Sequence, residues 1–164
     1  MSTPIAPGAA HATQVNSGAY TGAVYAIDAA TATAGAGSDG AFVDGEAYDR
    51  LATRALALSA KLVVPYTATQ ASGESTVVRG RVQHRALPAD DWEDYDDEPS
   101  DVTVAALDSG NAVEGVAEFN FDLAGAKRYV RFRMRPTLSA SGTDIFAHGR
   151  SVAVLGGYDN LPVE

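Results

Sequence analysis

The chain has 164 residues, enough for one domain with a core of its own, and nothing in its length requires a second. A net charge of −9 disfavours nonspecific binding to nucleic acid or to an anionic membrane, and the absence of cysteine excludes a disulfide framework and a Cys-ligated zinc site. Hydrophobic residues make up 46%, but many are alanine, so the expected core is thin and sheet-like.

No Lys or Arg precedes Arg50, so the cationic start of a secretory signal is missing, and no apolar run reaches the length of a membrane span. A soluble chain beginning at or near Met1 is expected. Residues 1–45 are rich in Ala, Gly, Thr and Ser and are read as an extended N-terminal arm. One strand is expected within it, AYTGAVYAID at Ala19 to Asp28, with Tyr20, Gly22, Val24 and Ala26 on one face and Tyr25 and Ile27 on the other. The rest of the arm has too little apolar surface to order itself and is expected to gain order by docking on a neighbour. Gly35 to Gly40 matches GxGxxG, but that mechanism needs a strand before and a helix after to aim amides at a pyrophosphate. Here the surroundings are low in complexity, and a flexible loop is expected.

The folded domain is expected over residues 46–164. Tyr48, Leu51, Ala52, Ala55 and Leu58 recur at helical spacing, which predicts one short surface helix over Glu46 to Leu58. An apolar β-branched run follows at Leu58 to Thr69, and its Pro65 predicts an edge strand or a bulge. After a turn through Gly73, Ser75 to Ala86 alternates: Val78, Gly80 and Val82 face inward, and Arg79, Arg81, Gln83 and Arg85 face outward. His84 falls on the inward side and is read as a packed or boundary histidine.

Pro88 to Asp101 is strongly acidic, with seven acids among the nine residues from Asp90 to Glu98. A pure charge run would be a solvated loop, but Trp92 and Tyr95 within it predict that it folds back onto the sheet. Strands are expected at Val102 to Leu107 and Val113 to Phe121, with a turn at Asp108 to Asn111. The second basic strand begins at Tyr129: Val130, Phe132 and Met134 point inward, Tyr129, Arg131, Arg133 and Arg135 outward, and Pro136 is expected to end it. Ser75 to Ala86 and Asp122 to Arg135 together carry eight of the twelve Lys and Arg residues, so each strand offers a cationic face to a partner or to the chain's own acidic loop. Ile145 to Leu155 supplies a last strand or pair of strands, and Gly156-Gly157 releases a tail.

This pattern predicts an all-β fold, an antiparallel β-sandwich of jelly-roll type with about eight strands. Catalytic signatures are missing. The three histidines His11, His84 and His148 lie far apart, and there is no HExxH or GxSxG. The acids Asp90, Asp91, Asp94, Asp96 and Asp97 lack the glycine and terminal Glu of an EF-hand, and no carboxylate pair is singled out for glycoside chemistry. No enzyme activity, cofactor or metal is therefore expected.

Four stretches, AYTGAVYAID, LSAKLVVPYTAT, VQHRALPADDWEDYDD and DLAGAKRYVRFRMRPTLSASGTD running into VAVLGGYDNLP, resemble small virion proteins of tailed bacteriophages, of the head-decoration or minor structural kind. The likeness covers about two thirds of the chain, and its motifs are structural; such diffuse motifs say more about fold than about chemistry. This chain departs from the pattern in its longer acidic loop and its alanine-rich stretch around Thr31 to Leu58. The resemblance implies a non-enzymatic capsid decoration or cement protein on the outer surface of the head, with the major capsid protein and neighbouring copies of itself as partners and no nucleic acid or membrane. The expected contact residues are Arg79, Arg81, Arg131, Arg133 and Arg135, with Tyr20, Trp92 and Tyr95. A tail or tail-tip protein on a similar sandwich is the alternative, and a carbohydrate-binding module using Trp92 and Tyr95 is the third reading.

Overall fold

The computed structural model describes residues 22–51, 56–71, 73–95, 101–105, 112–139 and 143–157. These residues form twelve strands: β1 (Gly22–Tyr25), β2 (Ala30–Thr33), β3 (Val43–Asp44), β4 (Tyr48–Asp49), β5 (Ser59–Thr69), β6 (Ser75–Arg85), β7 (Glu93–Asp94), β8 (Val102–Ala105), β9 (Ala112–Asp122), β10 (Tyr129–Leu138), β11 (Ile145–His148) and β12 (Val152–Gly156). All pairings are antiparallel, and the strands divide into two six-stranded sheets.

Both sheets follow one plan, a pair of long strands flanked by short segments laid end to end. In sheet I, β5 pairs with β9 along its whole length, Ser59 opposite Asp122 through Thr69 opposite Ala112. Its other edge is shared by β12 and β11, which carry β1 and β2 beyond them. In sheet II, β10 and β6 are the long pair, with β3 and β4 on the far side of β10 and β7 and β8 on the far side of β6. The short flanking segments explain why the expected count of about eight strands was low: two to five residues carry too little periodicity to be seen.

The inner faces meet in one core. Sheet I contributes Leu62, Val64, Phe119, Phe121, Phe146 and Leu155, and sheet II contributes Val78, Val82, Val130, Phe132 and Met134. Each fully buried aromatic contributes roughly 1.5–3 kcal/mol. Phe119 reaches across to Gly80, where a Cβ would sit 2.6 Å from its ring, so the inward position in the middle of β6 has to be glycine. The remaining core is largely alanine, with Ala26, Ala32, Ala34, Ala60, Ala68, Ala117 and Ala153 all buried.

Four local expectations are corrected. Residues 22–45, read as an arm with one strand at Ala19 to Asp28, carry that strand as β1 and also β2 and β3, because backbone pairing to β11 and β10 does not need large side chains. Tyr20 and the rest of residues 1–21 lie outside the described residues. The short helix over Glu46 to Leu58 is absent from the described part of that stretch: Tyr48 and Asp49 pair with β10 instead, and residues 52–55 lie outside the described residues. Pro65 is not on an edge strand, and Pro136 does not end β10, which runs on to Leu138.

Both prolines are tolerated for the same reason. A strand residue's N–H and C=O point to the same side. The Pro65 carbonyl accepts from Gly149 N at 2.9 Å, in the gap between β11 and β12, and the Pro136 carbonyl accepts from Gly40 N at 2.9 Å, beyond the end of β3. Each missing amide therefore faces a position with no ladder partner.

Candidate functional site

The alternation in β6 and β10 puts their arginines on one surface, the outer face of sheet II. Arg135 stands opposite Arg79, Arg133 opposite Arg81, Arg131 opposite Gln83 and Tyr129 opposite Arg85. Like charges placed directly opposite one another are destabilising, so this ladder needs counter-groups, and the chain supplies them. Asp44 of β3 accepts from Arg133 Nε at 2.5 Å and lies 3.0 Å from Arg131. Asp101 takes a two-pronged contact from Arg79 at 2.8 and 2.6 Å. Gln83 accepts from Arg131 and donates to Asp94 at 2.7 Å, and Asp94 also lies 3.7 Å from Arg133.

Two rings complete the cover. Phe42 lies under the guanidinium groups of Arg81, Arg133 and Arg135, with Arg133 4.4 Å from the ring centre. Trp92 lies under Arg85 at 4.2 Å and Arg131 at 4.8 Å. Such cation–π contacts are worth roughly 0.5–2 kcal/mol each, more when water is excluded. The side chains of Arg131 and Arg133 are accordingly only 20% and 19% exposed. The Arg79 contact holds the Asp101 carboxyl below the ordinary range, against the opposing effect of burial, with Arg135 and Arg81 adding to it.

The acidic loop folds back as its aromatics predict. Glu93 and Asp94 pair with β6, and the Tyr95 ring packs 5.2 Å from His84 while its hydroxyl accepts from Gly125 N at 3.2 Å. His84 accepts from Lys127 N at 3.2 Å, the role of a packed boundary histidine. Lys127 pairs with Glu93 and lowers its pKa. Asp96 and Asp97 lie outside the described residues, and among the described residues no three His, Cys, Asp or Glu gather as a metal site would require.

Arg50 is a residue the sequence did not single out. It lies within the stretch expected to form a surface helix, yet it is fully buried. Its guanidinium donates to the carbonyls of Ala57 at 3.0 and 2.6 Å, Leu123 at 2.5 Å, Lys127 at 3.2 Å and Ala126, pinning the stretch before β5 to the turn between β9 and β10. Beside it Asp49 takes Arg128 at 2.9 and 2.7 Å, which lowers the Asp49 pKa.

The opposite surface, the outer face of sheet I, has a different chemistry. The alternate residues that face outward are Val63, Pro65, Thr67 and Thr69 on β5, Val152 and Val154 on β12, and Ile145 and Ala147 on β11. Ala23 and Tyr25 of β1 and Thr31 and Thr33 of β2 extend it. None of these residues is charged. Tyr25 is 61% exposed, and Arg150 stacks over its ring at 4.2 Å. Charge returns only toward β9, where Glu114, Glu118 and Asp122 alternate with Val116 and Asn120 and where Lys61 of β5 pairs with Glu118 at 3.0 Å. No signal short of the pairing scheme could have assembled this face, because its residues come from five strands.

No helix among the described residues is long and apolar enough to cross a membrane, which leaves membrane-spanning strands unaddressed. No protein-family model matches the chain, and no curated protein matches it in sequence. Solved structures that align with it include infectious bursal disease virus strain Gx, at 13% identity over 87% of this chain and 34% of that one with a TM-score of 0.40. The T13 particle of the same virus aligns at 14% identity over 87% of this chain and 32% of that one, with a TM-score of 0.45. Its VP2 subviral particle aligns at 12% identity over 87% and 33%, with a TM-score of 0.43. The chain spans about a third of the length of each of these solved chains.

Proposed function

We propose that the chain is a non-enzymatic structural protein of a virus particle, a decoration or cement protein that sits on the outer surface of the head and bridges capsid subunits. The observation that carries this reading is the uncharged part of the outer face of sheet I, which runs over β1, β2, β11, β12 and the adjoining residues of β5 and is bordered by Lys61 and the acidic residues of β9. A broad apolar and threonine-rich surface on a chain of net charge −9 is the kind of patch that a protein partner covers. The sequence resemblance to head-decoration proteins supplies the partner class, the major capsid protein together with neighbouring copies of the chain. A small rigid sandwich touching more than one subunit adds coupling that no single contact provides. In this reading the arginine ladder stiffens sheet II, and its own carboxylates and rings occupy the groups that an acidic partner would otherwise take.

The test is to add the purified chain to heads assembled without it and to measure sedimentation with the shell and the shell's resistance to heat. Saturable binding at a ratio of order one copy per few capsid subunits, with a raised disruption temperature, is expected. Binding to tails at a few to some dozens of copies would point instead to a tail component. A sugar ligand detected by calorimetry, with no binding to shells, would favour the carbohydrate-binding reading.

A further inference from the structure

The alanines of β2 leave space between the sheets. A cavity of about 180 Å³ opens there, with Ala30 and Ala32 of sheet I on one side, Val43 and Pro136 of sheet II on the other, and Ser38 and Ala41 of the connecting loop at its mouth. That loop is the GxGxxG stretch. Gly35 and Gly40 take positive φ of 71° and 69°, and Asp39 fixes the loop to β10 by accepting from Leu138 N at 3.0 Å.

Thr31 and the imidazole of His148 complete the lining. His148 lies on the inner face of β11 with Phe146, is opposite Ala30 in register, and is only 4% exposed. Its Nδ1 lies 3.0 Å from the Gly149 carbonyl, which assigns the proton to Nδ1 and leaves Nε2 as an acceptor. Nε2 is buried and has no hydrogen-bond partner among the described residues. A buried acceptor left in this way is costly, so a donor delivered to it is favoured beyond its ordinary worth in water. Apolar cavities of about 150 Å³ hold a benzene-sized guest, and the walls here are almost entirely apolar.

We propose that this cavity is a binding site for a small uncharged aromatic molecule with a single hydrogen-bond donor, of the phenol type, whose ring lies against Ala32, Val43 and Pro136 and whose hydroxyl donates to Nε2 of His148. The site is independent of the assembly role. Anions are excluded by the apolar walls, and a second ring is excluded by the volume.

The experiment titrates the full ¹⁵N-labelled chain with phenol and, separately, with benzene, following the imidazole nitrogens by NMR. Phenol is expected to shift the Nε2 resonance of His148 and to bind roughly two- to tenfold more tightly than benzene, the worth of one net hydrogen bond. In His148→Leu phenol should lose its advantage and bind no more tightly than benzene, because its hydroxyl is then buried without an acceptor. An Nε2 resonance unmoved at saturating phenol, equal affinities in the unaltered chain, or shifts confined to residues away from the cavity would each overturn the proposal. If His148→Leu fails to fold, the Nε2 shift and the phenol-to-benzene ratio in the unaltered chain decide it alone.

Discussion

The two outer faces of the sandwich are built to the same plan and end with opposite chemistry. In sheet II the outward positions of the long strands are arginines, and carboxylates and rings from the short flanking strands and loops close over them. In sheet I the outward positions of β11, of Val152 and Val154 on β12 and of β5 from Val63 to Thr69 are Val, Thr, Pro, Ile and Ala, and the carboxylates and rings that cover sheet II have no counterpart over them among the described residues. On the charged face Arg79, Arg131 and Arg133 hold carboxylates of the chain itself, while the buried Nε atoms of Arg85 and Arg135 have no hydrogen-bond partner among the described residues. An arginine that already holds a carboxylate of its own chain, as Arg79, Arg131 and Arg133 do, gives up one contact to make another, which is why the proposed contact surface is the plain face of sheet I.

The largest expected effect breaks the plain face. Val63→Asp with Ala147→Asp places two carboxylates with no cation opposite them on sheet I and should weaken binding to shells by roughly 100-fold or more, since buried unpaired charge is expensive at an interface. Both positions are half-buried in the free chain, so urea midpoints should show a loss of only about 1 kcal/mol per site. The mirror experiment breaks the charged face: Arg133→Ala removes the Asp44 pair and the Phe42 contact and should cost roughly 1.5–3 kcal/mol of stability, the range for charge-assisted hydrogen bonds, while leaving shell binding within about twofold.

Acid sharpens the contrast further. Asp101 has a folded pKa below its unfolded value, so its contribution to stability is fully present above the unfolded pKa near 3.8 and is lost as pH falls through the lower folded value. Asp101→Asn should remove that part of the acid-unfolding profile below about pH 4 and leave the profile near neutrality unchanged in shape. His148 behaves with the same sign at higher pH: burial lowers its pKa from 6.5, so stability falls as pH drops below 6.5 toward the folded value, and His148→Phe should flatten the curve in that window. The smallest effect belongs to the exposed Lys61–Glu118 pair at the margin of sheet I, where a double-mutant cycle should give less than about 0.5 kcal/mol.

The contrast was half legible in the sequence. Strict alternation in Tyr129 to Arg135 and in Val78 to Arg85 identifies a cationic outer face, because side chains change sides at every residue of a strand. The covering groups were less visible. Trp92 and Tyr95 announced that the acidic loop folds back, but Phe42 and Asp44 come from the two-residue strand β3 and the residue before it, some ninety positions from Arg133, and no local pattern links them. The plain face was hidden for the same reason: a strand was expected at Ala19 to Asp28, where β1 lies, but β2 and the pairing of both with β11 and β12 were not. Arg50 was misplaced because its partners are backbone carbonyls, which leave no mark in the sequence.

The chain has no cysteine, so single cysteines report on each face without interference. The most direct measurement compares maleimide labelling of Thr67→Cys, on the outer face of sheet I, with that of Thr103→Cys, exposed on the outer face of sheet II opposite Val77, in the free chain and on saturated shells. Labelling at residue 67 should fall at least tenfold on the shell while residue 103 labels as it does when free, the pattern expected when one face is buried at an interface and the other stays in solvent. Protection at residue 103 with residue 67 still open would contradict the account.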